Sequence, residues 1–269
     1  MSDRIDFIRP DWPAPDAVGA AFTLRRGGVS QPPFDSLNVA AHTGDDPRAV
    51  AENRRRVRAS LQLPAEPTWL AQVHGAAVVR LDGHTADGHG ADGYATGEGG
   101  APPTADASIT RRPGQVCAVQ VADCMPVLLA ARDGSAVGAA HAGWRGLAAG
   151  VLGAIVHALG EEPFLIAPDR LIAWMGPAIG PGHFEVGEEV RAAFLAADGG
   201  AGAAFTSNAR GRWQCDLYAL ARRRLAAAGV RDVYGGGWCT HADPGRFYSY
   251  RRDGQCGRMA ALIWIAHDQ

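Results

Sequence analysis

Short apolar runs alternate along this chain with stretches rich in Gly, Pro and Asp, a rhythm that predicts many brief strands punctuated by a few helices. An apolar strand is expected around 20–24. Asp46 before Pro47 marks a helix start, with a carboxylate N-cap and proline at the first helical position, and RAVAENRRRVRASL carries that helix to about Leu61. Residues 116–122 alternate and are β-rich, and 127–131 and 136–140 are short apolar runs, so the three predict a meander of two tight hairpins. Asp133-Gly134 between the last two is a strong turn signal. A turn centred there pairs positions whose numbers sum to about 267, setting Val127 opposite Ala140 and Pro126 opposite His141.

After His141 the spacing becomes helical over 147–159 and stops before Gly160. The segment 142–146 (AGWRG) therefore reads as a strand-to-helix turn whose free N–H groups favour an anion, with Arg145 placed for a bidentate contact. A further helix is expected at about 187–197. Another runs from an Asp216 cap to Ala228, with Gly229 as its stop. The end of the chain reads as an arginine-rich turn followed by a buried final strand. Residues 81–104 are dense in Gly, Asp and Pro and read as a flexible surface insertion within a single domain spanning 1–269.

Composition narrows the chemistry. All 26 basic residues are arginine, and without lysine there is no Schiff base, no pyridoxal phosphate anchor and no P-loop lysine. A formal charge of −2 offers no general attraction to nucleic acid or an anionic membrane, so neither is an expected partner. Five cysteines without a C-x-x-C pair fit neither a disulfide framework nor a zinc ribbon. The N-terminus lacks the apolar core of a signal peptide, and no apolar stretch is long enough to span a bilayer, so a cytoplasmic location is the expectation.

Three residues stand out as potential metal ligands: His74 in AQVHG, Cys124 in VADCMP and His141 in AAHAGWRG. Two imidazoles and a thiolate form a soft three-ligand set that holds Zn²⁺ with a fourth position open. The hairpin register brings Cys124 and His141 to one end of a sheet, whereas nothing local brings His74 to them. Taken singly, each has a bland reading as a hydrogen-bonded core histidine or an inert buried thiol. His84 and His89 in the insertion read as ordinary surface histidines. The loops 25–30 and 41–45 read equally as binding loops or plain turns, and Arg251, Arg252 and Arg258 around Asp253-Gly254 as a solvated turn or a phosphate clamp. A metal-free alternative makes Cys124 a nucleophile, His141 its base and Asp123 the orienting acid of a cysteine hydrolase or amidase. The H-x-E and P-C-x-x-C pattern of zinc deaminases is absent, since Gly75 and Ala76 follow His74. With nine histidines and no H-x-H pair, the ligands of a full multicopper oxidase are absent as well.

In order and combination, RRGGVS, PFDSLN, NRRRV, QVHG, ADAS, VADCMPVLL, AAHAGWRG, GPAIG, FEV and SYRRDGQCGRMAALIW resemble the YfiH-like family, also called the laccase-domain or polyphenol-oxidase family. The resemblance implies an α+β fold layered α/β/β/α with mixed β-sheets and a zinc on His74, Cys124 and His141. It further implies phosphorolysis of adenosine, inosine and methylthioadenosine, adenosine deamination, and copper-dependent phenol oxidation as side chemistry. The expected partners are a purine nucleoside and phosphate, contacted by Arg145, Arg26, Asn38, Arg251 and Arg258, in a monomer or homodimer. Peptidoglycan precursor editing has been attached to relatives and suits the hydrolase alternative. A non-catalytic zinc protein is a third class.

Overall fold

The computed structural model describes residues 5–83 and 101–267. Its centre is a pair of facing β-sheets. One has four antiparallel strands in the order Phe7–Ile8, Val18–Thr23, Met259–Ile265, Val116–Val121. The other has six, in the order Asp232–Gly235, Leu171–Met175, Met125–Ala131, Val137–Ala142, Ala107–Thr110, Val78–Arg80, and is mixed: antiparallel in the middle, parallel at both ends. Leu128, Ala130, Val137, Ala139, Ile172 and Trp174 pack between the sheets against Phe22, Val119, Val121, Ala261 and Ile263. On its outer face the smaller sheet meets Val57 and Leu61 of the helix Pro47–Leu61 through Ala21, Ala118 and Leu262. The outer face of the larger sheet, with Val127, Leu129 and Ala173, packs on the helices Val151–Gly160, Glu188–Leu195 and Leu217–Ala227. The layers are thus α/β/β/α.

Both faces of the central strands are covered, which is why their sequences read as near-continuous apolar runs. Within Val116–Val121, Cys117 and Val119 point inward and Val116 and Ala118 outward, the period of two expected of a strand. Each Val, Leu or Ile fully buried in these layers contributes about 1.5–3 kcal/mol. Asp46 caps the first helix by accepting the Arg48 N–H at 2.8 Å, and Asp216 caps Leu217–Ala227 through the Ala219 N–H at 3.0 Å. Among the described residues no helix is long and apolar enough to cross a membrane.

Three expectations need correction. The Asp133-Gly134 hairpin has the expected register, Val127 opposite Ala140 and Pro126 opposite His141, but the first hairpin does not exist. Val116–Val121 pairs instead with Met259–Ile265 in the other sheet, and residues 122–124 carry the chain across. The predicted helix at 147–159 starts earlier, as Trp144–Ala149, and restarts as Val151–Gly160 after Gly150, whose φ of 90° breaks the spiral. Arg145 therefore sits in a helical turn rather than a loop. Finally, the ends of the Gly-rich insertion belong to the fold: Leu81 is buried in a 3₁₀ turn and Thr104 bridges Ala71. His84, His89 and the rest of 84–100 lie outside the described residues.

Candidate active site

His74, Cys124 and His141 come from three separate places and converge. One ligand atom from each lies within 4.8 Å of the other two, the only such set among the described residues, and the two imidazole rings meet edge to face at 4.7 Å. His141 is set by the hairpin register near the end of Val137–Ala142 and is buried. Cys124 stands at the crossing between the sheets. Its neighbour Asp123 adopts φ 88°, a left-handed conformation that turns the chain there. The Asp123 carboxylate holds the corner by accepting from Thr240 Oγ1 and the Arg251 N–H, both at 2.6 Å, while its carbonyl accepts the Ile179 N–H.

His74 arrives through a device that sequence reading missed. The wholly buried carboxylate of Asp106 accepts the backbone N–H groups of Val73, His74 and Gly75 at 3.2, 2.9 and 2.6 Å, folding residues 73–75 into a cradle with His74 at φ 62°. The same carboxylate bonds His141 Nδ1 at 2.8 Å. One side chain therefore positions both imidazoles and leaves Nε2 of His141 free to act as a ligand, as carboxylate partners of metal-bound histidines do. The ADAS motif around a lone acid among small apolar residues was the available signal. Gln72 completes the attachment, its amide donating to the Gln120 carbonyl at 2.9 Å and accepting the Gln120 N–H at 2.7 Å.

Electrostatics couple the three ligands. Burial alone would push the Cys124 thiol up, but the charge and hydrogen bond of His141, then those of His74, outweigh it and bring the thiol down to about 6. Burial alone would lower His141, but the Cys124 thiolate and the Asp106 carboxylate raise it to about 9. Without a metal the pair is a thiolate and an imidazolium. Asp123 takes no part in orienting His141, contrary to the hydrolase reading of the sequence; that place belongs to Asp106. Close packing preserves the arrangement. A Cβ on Gly143 would stand 2.7 Å from Cys124 Sγ.

The three residues line a cavity of about 460 Å³, a common size for a small-molecule site. Arg145, Arg251 and Arg258 line its walls, as do Trp144, Phe184 and Tyr250. Each guanidinium lies over one of these rings: Arg145 over Trp144 at 4.5 Å, Arg251 over Phe184 at 5.2 Å and Arg258 over Tyr250 at 5.6 Å. None forms an ion pair with a carboxylate among the described residues. Gln120, buried and also lining the cavity, has an amide oxygen without a partner there. The other two expected phosphate contacts are not in the wall. Arg26 is exposed elsewhere, and Asn38 is wholly buried beneath the loop 40–45, bonded to Ala40, Thr43, Asp45 and the Arg258 N–H. Its side-chain amide ties the loop together through backbone and side-chain partners alike, a role that a polar residue in a loop motif does not reveal.

A second His and Cys grouping does not converge to the same degree. Cys239 Sγ meets His183 Nδ1 at 3.5 Å, but His241 stacks on the His183 ring at 4.4 Å.

The family model described as multi-copper polyphenol oxidoreductase laccase matches residues 19–266. A purine nucleoside phosphorylase of Pseudomonas aeruginosa is 51% identical over 260 residues, 96% of this chain and 98% of that protein. The purine nucleoside phosphorylase YfiH of Escherichia coli is 49% identical over 258 residues, with the same coverage of 96% and 98%. Among solved structures, a Neisseria meningitidis protein matches with a TM-score of 0.86 at 44% identity, covering 97% of this chain and 99% of that one. YlmD from Geobacillus stearothermophilus matches at 0.85 and 32% identity, covering 99% and 98%.

Proposed function

Because the chain belongs to the multi-copper polyphenol oxidoreductase laccase family, we propose that it is a metal-dependent purine nucleoside phosphorylase whose single catalytic domain acts on adenosine, inosine and methylthioadenosine. The observation that carries this reading is the convergence of His74, Cys124 and His141 on a cavity walled by three arginines without carboxylate partners. The donor set fits Zn²⁺, and after it Cu²⁺. Bound there, such an ion supplies Lewis acidity and a water of lowered pKa, the chemistry that adenosine deamination and, with copper, phenol oxidation would draw on.

The protein's own residues do the positioning. Asp106 holds the His141 ring by Nδ1 and fixes the backbone that presents His74. Arg145, Arg251 and Arg258 hold phosphate so that one of its oxygens faces C1′ of the ribose, and the aromatic walls exclude water from the reacting centre. As the phosphate oxygen bonds to C1′, the bond from C1′ to N9 breaks, its electron pair leaves with the base, and the proton of hydrogenphosphate ends on the base. Donors aimed at the charge growing on phosphate and base stabilise that passage. Five free cysteines suit a reducing, cytoplasmic setting.

The test is product analysis by chromatography with adenosine or inosine, with and without phosphate, for wild type and Cys124→Ala, beside metal content. Phosphate-dependent release of adenine and hypoxanthine by protein carrying about one metal ion, lost in the variant, is expected. Metal-free protein that forms no purine product overturns the reading.

A second reading has its own support. Asp106, His141 and Cys124 form an acid, imidazole and thiolate relay of the kind that activates a nucleophilic cysteine for hydrolysis of an amide. Turnover of an amide substrate, such as a peptidoglycan precursor, that survives complete chelation would favour this hydrolase over the phosphorylase.

A further inference from the structure

Five residues were expected to touch phosphate, and His42 was not among them, yet its ring lines the cavity together with Arg258. It belongs to the 3₁₀ turn Ala41–Thr43 and forms no hydrogen bond or ion pair with any described residue. Unlike an ordinary surface histidine, it sits on a loop held from below by a dense polar network. Asn38 donates to the Ala40 carbonyl, to Thr43 Oγ1 and to Asp45 Oδ2, and Asp45 also accepts from Ser30 at 2.6 Å. Asn53, wholly buried, ties in Ser30 and the Asn38 carbonyl, each at 2.8 Å.

The same network fixes Arg258. Asn38 Oδ1 accepts the N–H of Ala40 at 3.0 Å and that of Arg258 at 2.9 Å, so one buried amide sets the imidazole-bearing turn and the arginine relative to each other. Arg258 Nη1 is engaged by the carbonyls of Cys256 and Gly257, while its Nε and Nη2 have no partner among the described residues. The side chain thus keeps a two-pronged edge of N–H donors, the shape that suits a phosphate. Although His42 is exposed, partial desolvation at the cavity wall, then Arg258, Arg54, His141 and His74, hold its pKa below its ordinary value, so the ring is neutral and offers one N–H donor.

We propose that His42 is a phosphate-binding residue, and that the phosphate subsite lies where the turn Ala41–Thr43 meets Arg258, with Asn38 as the positioning residue for both. The proposal rests on the phosphorylase reading and assigns phosphate to one end of the cavity. It also gives Asn38 a function by way of the residues it holds.

Two measurements test it, with His42→Ala and His42→Gln, the latter keeping an N–H donor. In steady-state phosphorolysis of inosine, His42→Ala is expected to raise the KM for phosphate by roughly 10- to 100-fold, the span of one hydrogen bond to a charged group. The KM for inosine should stay within about twofold, and His42→Gln should recover most of the loss. Calorimetric titration with inorganic phosphate, which needs no turnover, should show the same ranking. Thermal melting without phosphate checks that the variants fold. Unchanged phosphate affinity in His42→Ala, or an equal rise in both KM values, overturns the proposal. If wild type binds phosphate in a His42-dependent way but turns over no nucleoside, the subsite stands and the phosphorylase reading falls. Wild type that neither binds nor uses phosphate overturns both.

Discussion

Removing the Asp106 carboxylate should damage the site more than removing any residue around it, because two histidines depend on it. In Asp106→Ala four donors lose their acceptor: three backbone N–H groups and the His141 ring. Val73 and His74 are exposed, so their N–H groups return to water at little cost, whereas the Gly75 N–H is half-buried and His141 is buried. Two bonds to a charged acceptor, lost without replacement, amount to about 3–6 kcal/mol. In a protein of this size that is a fall in Tm of roughly 10 °C.

Asp106→Asn is the sharper variant. Oδ1 accepts from His74 and His141 and Oδ2 from Val73 and Gly75, so either orientation of the amide sets its NH₂ against a donor. Facing His141, it forces the hydrogen onto Nε2, the nitrogen needed as a ligand. Metal affinity should fall about 10- to 100-fold, the usual cost of losing such a partner, as measured by competition with a chromogenic chelator. Wild-type affinity together with wild-type melting in Asp106→Asn would refute the reasoning.

Other expectations follow from the same geometry. In metal-free protein the Cys124 thiol should alkylate at a rate rising through pH of about 6, against the ordinary thiol value of 9.0, and His141→Gln should move that midpoint upward. The share of stability from the depressed thiol is full above pH 9.0 and lost as pH falls through about 6; that from His141, whose pKa is raised, is full below 6.5 and lost as pH rises through about 9. Denaturant titrations of wild type and Cys124→Ser across that window check the sign. Gly143→Ala, which places a methyl 2.7 Å from Cys124 Sγ without altering any ligand, should lower metal affinity at least tenfold while leaving the circular dichroism spectrum intact. Gly257→Ala, whose methyl would stand 2.6 Å from the Tyr248 ring and 2.9 Å from Asn38 Cβ, should cost about 1–3 kcal/mol by overpacking, read as a lower Tm.

Local signals were legible wherever one residue type had one physical use. The Asp46 and Pro47 cap fixed the start of the first helix, and Asp133-Gly134 fixed a register that placed Pro126 against His141. The sheet to which Val116–Val121 belongs was not legible, because a strand buried on both faces carries no mark of its partner. The same limit hid the route of His74 to the site, which depends on a contact between residues 73–75 and Asp106 across the fold. Arg145, Arg251 and Arg258, expected at phosphate, do line the cavity, whereas Asn38, expected there too, is buried beneath a loop, because burial beneath a loop and exposure within one leave the same polar motif. His42 lay in a loop, 41–45, that read equally as a binding loop or a plain turn, because a loop histidine next to Thr and Gly carries no mark of what it faces.

The corner at residues 122–124 has a consequence for thiol reactivity. Cys124 cannot swing away from the two histidines unless the left-handed Asp123 unlatches from Thr240, Ile179 and Arg251, which lie far apart in the sequence. Withdrawal of Cys124 from the two histidines would therefore need a fluctuation that parts the chain crossing from its neighbours, so the thiolate is the ligand whose loss is tied to local opening of the fold. In metal-free protein, mild denaturant should then hasten alkylation of Cys124 well before the protein unfolds.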